Sequence, residues 1–136
     1  MRGSCLCRKV RYEVVGDLDL MYNCHCPNCR KSHGAAFATV ARVRRERFRW
    51  ISGEESVSRY ESSREVARYF CGTCAANLFS VLSSRPEFLH LRLGTLDDDP
   101  GLRPSFHMFV GSKAPWFEIN DDLPRYQAFP DPDQEG

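Results

Sequence analysis

KVRYEVV, residues 9–15, alternates apolar Val10, Tyr12 and Val14 with polar Lys9, Arg11 and Glu13. A period of two sends successive side chains to opposite faces of an extended strand, so one face is predicted to be buried and the other wet. Similar patterns recur outward from this stretch. In RFRWISG, residues 47–53, Phe48 and Trp50 alternate with Arg47 and Arg49 before Ser52-Gly53 ends the run. In FLHLRLGTL, residues 88–96, Leu89, Leu91 and Leu93 alternate with His90 and Arg92. GAAFATVARV, SVSRYESS, EVARYFC and NLFSVLS are further short strand candidates, and Gly16-Asp17, Ser52-Gly53 and Arg85-Pro86 mark turns between runs. No segment sustains a helical period; the stretch after Cys29 has room for one helical turn. The pattern predicts an all-β chain, an antiparallel β-sandwich or a related architecture.

At 136 residues the chain fits a single domain, residues 1–136, and its 42% apolar content allows a modest core. Nineteen basic and 18 acidic residues leave a net charge of +1, which predicts neither nucleic-acid nor membrane binding. No apolar run approaches the roughly 20 residues that cross a bilayer. The opening MRGSCLCRKVRYEV has no apolar core of a signal peptide, so a cytoplasmic location is expected. RVRRERFRW, residues 42–50, mixes arginines with aromatics, but its alternation suits a solvated sheet face rather than a nucleic-acid surface. Arg68 and His90 are likewise expected on sheet surfaces. The late segment HMFVGSKAPWFEINDDLPRY, residues 107–126, is expected to form an arm packed through Phe109, Trp116, Phe117 and Tyr126. Trp50 and Trp116 are expected to serve as anchors. The closing FPDPDQEG is acidic and proline-rich and is expected to fray.

Seven cysteines is a high count, and an odd number cannot all pair within the chain. They fall into three groups: Cys5 and Cys7; Cys24, Cys26 and Cys29; Cys71 and Cys74. On an extended strand Cys5 and Cys7 share a face. Cys71-Gly72-Thr73-Cys74 is a turn that converges two thiolates, with Gly72 relieving the tight backbone. Together the two pairs complete a four-cysteine structural zinc site. The middle group then offers three sulfurs, the donor number of catalytic zinc, unless a histidine or water closes a second structural site. His25 points away from Cys24 and Cys26 if the segment is extended; His33, His90 and His107 are more remote candidates for a fourth ligand.

Gly3-Ser4-Cys5-Leu6-Cys7, with Val10 and Tyr12 after it, resembles the opening of the glutathione-dependent formaldehyde-activating enzyme family, which includes the centromere protein V relatives. Cys24-His25-Cys26-Pro27-Asn28-Cys29-Arg30 resembles its central motif. Arg68-Tyr69-Phe70-Cys71-Gly72-Thr73-Cys74 resembles its third motif, and His107 to Trp116, with Asp122-Leu123-Pro124, its tail. The resemblance implies a zinc-containing β-tent fold, shared with small zinc-binding Rab-GTPase exchange factors. It implies a structural zinc on Cys5, Cys7, Cys71 and Cys74 and a catalytic zinc on Cys24, Cys26 and Cys29. The implied activity is condensation of glutathione with formaldehyde, formally that of a carbon–sulfur lyase, with a small-molecule thiol and aldehyde as partners. Arg30, Lys31 and His33 follow the central ligands and are candidates to bind glutathione carboxylates; their alternative is a solvated basic turn. A non-enzymatic zinc module with a protein or nucleic-acid partner is the competing reading. One departure stands out: the family pattern has Gly after the third motif, where this chain has Ala75-Ala76-Asn77.

Overall fold

The computed structural model describes residues 1–130; residues 131–136, most of the stretch expected to fray, lie outside the described residues. Among the described residues, ten strands form two sheets. The smaller sheet joins β1 (Arg2–Ser4), β2 (Arg11–Val14) and β5 (Phe48–Ser52) in the order β1-β2-β5. The larger holds β3 (Leu20–Cys24), β4 (Ala38–Arg44), β6 (Val57–Glu61), β7 (Val66–Cys71), β8 (Asn77–Leu82), β9 (Phe88–Arg92) and β10 (His107–Met108). Their order is β10-β3-β4-β9-β8-β7-β6. Strand pairs are antiparallel, as expected, except that β10 runs parallel to β3, with Met108 opposite Cys24. A helix, α1 (Pro27–His33), links β3 to β4.

The main core lies between the sheets. Val10, Tyr12 and Val14 are fully buried there, as the alternation in residues 9–15 predicts. Facing them are Ala41 and Val43 of β4, Phe79 of β8, and Leu89 and Leu91 of β9. A second cluster covers the opposite face of the large sheet. It joins Tyr22, Cys24, Cys29, Ala38 and Val40 to Phe106 and Met108 of the arm. β3 sits between the two clusters, so its LMYNC sequence is buried on both faces and lacks a period of two. That is why sequence pattern passed over it.

The arm packs through Phe109, Phe117 and Tyr126 as expected: Phe117 meets Phe37 with ring centroids 5.4 Å apart, and Tyr126 meets Phe106 at 5.6 Å. Trp116 is a correction. It is 71% exposed, on the surface of the arm rather than in its packing. Trp50 is half-buried against Phe48 and Phe79. No helix among the described residues is long and apolar enough to cross a membrane.

Candidate functional site

Cys5, Cys7, Cys71 and Cys74 come together with all four sulfurs within 4.8 Å of one another. Cys5 and Cys7 reach this point from a turn after β1, not from an extended strand. The chain reverses there: the Arg8 amide donates to the Cys5 carbonyl at 3.1 Å, and Arg8 has φ 67°. Cys71 ends β7 and Cys74 lies in the turn to β8, followed by Ala75 at φ 65°. The Cys5–Cys7 and Cys7–Cys71 sulfurs are 3.6 and 3.8 Å apart. Tetrahedral zinc with bonds of about 2.3 Å sets an edge of about 3.8 Å between thiolates. Donor type, number and spacing therefore fit a zinc ion, and the Val10 amide donates to the Cys5 sulfur at 3.3 Å. The group joins the β1–β2 connection to the β7–β8 hairpin, and hence one sheet to the other.

Cys24, Cys26 and Cys29 form the second group that could hold a metal ion, again within 4.8 Å, and no His, Asp or Glu of the described residues belongs to it. Local sequence builds it. Cys24 closes β3. Cys26 is the N-cap of α1, its sulfur accepting from the Cys29 amide at 3.3 Å, where Ser or Asp usually serves. Pro27 presets the first helical turn, and Gly34 closes the helix at φ 59°. The helix is thus longer than the single turn expected after Cys29, and it begins before that residue. Hydrogen bonds with Cys24 and Cys26, joined by the Arg92 and Arg68 guanidiniums, draw the Cys29 thiol well below the usual range. Cys24 is pushed well above it, chiefly by its hydrogen bonds with Cys26 and Cys29.

Beside these three sulfurs opens a cavity of about 380 Å³. Its floor is the second face of the large sheet. Arg68 of β7, Ser80 of β8, His90 of β9 and Arg42 of β4 stand in one row across four strands. Arg92 lies two residues on from His90, with Nη2 donating to Ser80 Oγ at 3.1 Å. Phe106, Phe109 and Phe129 of the arm line the cavity from the other side. Arg68 and His90 therefore line a cavity, rather than the solvated face that alternation suggested. Burial and the cations Arg92, Arg42 and Arg85 lower the His90 pKa to about 4, so it is neutral near pH 7. Its Nδ1 lies 3.2 Å from the Tyr22 hydroxyl.

Arg30, Lys31 and His33 do not line this cavity. Lys31 lines a shallower hollow that shares Asn28 and Arg68 with it. All three occupy the last turn of α1, where the charges of Arg30 and Lys31 complement the helix dipole. His25 turns away from the sulfurs, as an extended reading predicts. Its Nε2 lies 2.8 Å from His107 Nδ1, and His107 Nε2 lies 2.9 Å from Asp121. This chain, buried at its two histidines and reaching the surface at Asp121, ties the arm to the segment between Cys24 and Cys26. Sequence reasoning missed it, because the three residues lie far apart in the chain.

The model of the family described as "Glutathione-dependent formaldehyde-activating enzyme" matches residues 1–112. A Halomonas elongata protein named "Putative glutathione-dependent formaldehyde-activating enzyme" is 29% identical over 126 residues, covering 88% of this chain and 80% of its own. A Schizosaccharomyces pombe protein named an uncharacterized lyase is 27% identical over 90 residues, 65% of this chain and 64% of its own. A crystal structure of a Rhodobacter sphaeroides protein superposes with a TM-score of 0.61 at 27% identity, covering 76% of this chain and 92% of that one. With both cysteine groups assembled and the family model matched over most of its length, this chain belongs to the glutathione-dependent formaldehyde-activating enzyme family.

Proposed function

We propose that this chain forms or cleaves the adduct of a small thiol, glutathione in the first instance, with formaldehyde or a related aldehyde, a carbon–sulfur lyase reaction. Cys24, Cys26 and Cys29 would hold the catalytic zinc, and Cys5, Cys7, Cys71 and Cys74 a structural one. The observation that carries this reading is the unequal donor sets. Four sulfurs gather between the sheets, and three gather beside a cavity of about 380 Å³. Three protein donors leave one coordination position for a ligand. Bound there, zinc would supply a Lewis-acidic charge that holds an incoming thiol as thiolate near neutral pH.

The chain's own residues have separate tasks. Phe106, Phe109 and Phe129 restrict water at the cavity, which strengthens charge interactions inside it. Arg68 and Arg92 favour anionic sulfur at its floor. Lys31, in the adjoining hollow, is placed to take a carboxylate of a ligand that extends past Asn28 and Arg68. Arg30 would act at longer range, through the positive charge it gives that side of α1, and neutral His33 would serve only as a hydrogen-bonding group. The seven free thiols support a reducing, cytoplasmic setting. The core shared by the two sheets supports a single zinc-binding domain.

X-ray absorption at the zinc edge tests the reading. Adding glutathione to zinc-loaded protein is expected to add sulfur scattering at about 2.3 Å. Unchanged sulfur coordination at saturating glutathione would sink it.

A further inference from the structure

We propose that Arg68 is a catalytic residue: it binds the carbonyl oxygen of the aldehyde and stabilises the alkoxide formed as thiolate adds. This role rests on the thiol–aldehyde reading above.

Four arginines line the cavity, and their surroundings divide them. Arg42 pairs with Asp19 at 2.8 Å and lies over the Phe88 ring at 4.6 Å. Arg85 has Glu87 at 3.8 Å. Both are held by the protein. Arg92, 6% exposed, donates to neutral acceptors, Ser80 Oγ and the His90 carbonyl. Arg68 is 9% exposed, and no carboxylate of the described residues pairs with it. Its Nε donates to Ser62 Oγ at 2.9 Å, which fixes the plane of the guanidinium. Its Nη2 reaches to 4.0 Å from Cys29 Sγ. Its Nη1 is buried with no hydrogen-bond partner.

A buried cationic donor with no acceptor is costly unless something else supplies one. The position says which acceptor fits. Arg68 stands beside the sulfur donors, and in a thiol–aldehyde adduct the oxygen is one carbon from the sulfur. A guanidinium held by Ser62 and lying against Cys29 is in place for that oxygen. In the forward step the sulfur lone pair forms the C–S bond and the C=O π pair moves to oxygen. The alkoxide then takes a proton from water, replacing the one released by the thiol. No redox partner is needed, and the reverse step breaks the same C–S bond. Because the charge on oxygen grows only during addition, a preset cation favours the transition state over the bound aldehyde.

The test compares two thiols of nearly equal shape. Thioacetate carries an oxygen one carbon from its sulfur, and ethanethiol carries a methyl there. Their affinities for zinc-loaded wild type, Arg68→Met and Arg68→Lys are measured by calorimetry, with zinc content and circular dichroism as checks on folding. The thioacetate-to-ethanethiol affinity ratio is expected to fall roughly 10- to 100-fold in Arg68→Met, the span of a charge-assisted hydrogen bond. Ethanethiol affinity should fall less than thioacetate affinity, because losing the Arg68 charge weakens both thiolates and losing the N–H donors weakens only thioacetate. Arg68→Lys, which keeps the charge and loses the planar fork, should show part of the fall and serves if the Met variant does not fold. Exchange NMR of formaldehyde with glutathione should show kcat reduced by roughly 10²- to 10³-fold with KM for glutathione little changed. An unchanged affinity ratio in the folded variants overturns the assignment. Wild type that binds neither thiol instead overturns the thiol–aldehyde reading, and this inference with it.

Discussion

Ala75 occupies left-handed backbone, φ 65°, directly after the second pair of the four-cysteine group. Its amide donates to the Cys71 carbonyl at 2.8 Å, so the conformation closes the turn that brings Cys71 and Cys74 together. A Cβ in this region costs about 1–2 kcal/mol, and glycine's greater freedom in the unfolded chain gives back less than that. Ala75→Gly is therefore expected to raise stability by about 1 kcal/mol; a lower urea midpoint than wild type would contradict this. The glycine expected from the family pattern thus has a backbone reason, and this chain tolerates its loss. Cys26 has two tasks, capping α1 and donating sulfur. Serine keeps the first and loses the second. Cys26→Ser should remain folded by circular dichroism while losing one of two bound zinc ions by metal analysis. Retention of both ions would remove Cys26 from the ligand set.

At the scale of elements, the four-cysteine group links the turn after β1 to the β7–β8 hairpin. Structural zinc supplies on the order of 10 kcal/mol to small domains, as much as the whole stability of many proteins. Cys71→Ser is accordingly expected to unfold the chain at 25 °C, seen as loss of dispersed amide NMR signals. A folded Cys71→Ser protein would reverse the division of labour between the two sites. The β1–β2 pair has a separate constraint. A Cβ on Gly3 would lie 2.2 Å from Cζ of Tyr12, which is fully buried and whose hydroxyl is 2.7 Å from Thr95 Oγ1. The ring has no room to yield, so Gly3→Ala should cost about 1–3 kcal/mol, the range of overpacking. Thermal unfolding checks it, and an unchanged midpoint would show that β1 moves freely.

At the scale of the molecule, burial first and nearby cations second hold His33 and His90 neutral, with pKa values lowered to about 4. The unfolded chain takes up these protons near pH 6.5, before the folded one does. Their contribution is therefore fully present above about pH 6.5 and is lost as the pH falls towards about 4, at up to about 1.4 kcal/mol per pH unit for each histidine. His90→Gln should flatten the fall of urea stability between pH 6.5 and 4.5; slopes parallel to wild type would show that His90 titrates normally. The alternation in residues 9–15 and the three cysteine groups were legible because they are local: a period of two and a CxxC turn are set by neighbouring residues. So were the all-β class, the family and the two cysteine groups that could hold a metal ion. The faces of Arg68, His90 and Arg92 were not. Alternation says that the two sides of a strand differ, but not what covers the second side. In β7 and β9 that side is covered by α1 and by an arm more than a dozen residues later in the chain. Only this long-range packing turned a row expected in water into the charged floor of a cavity beside three thiols.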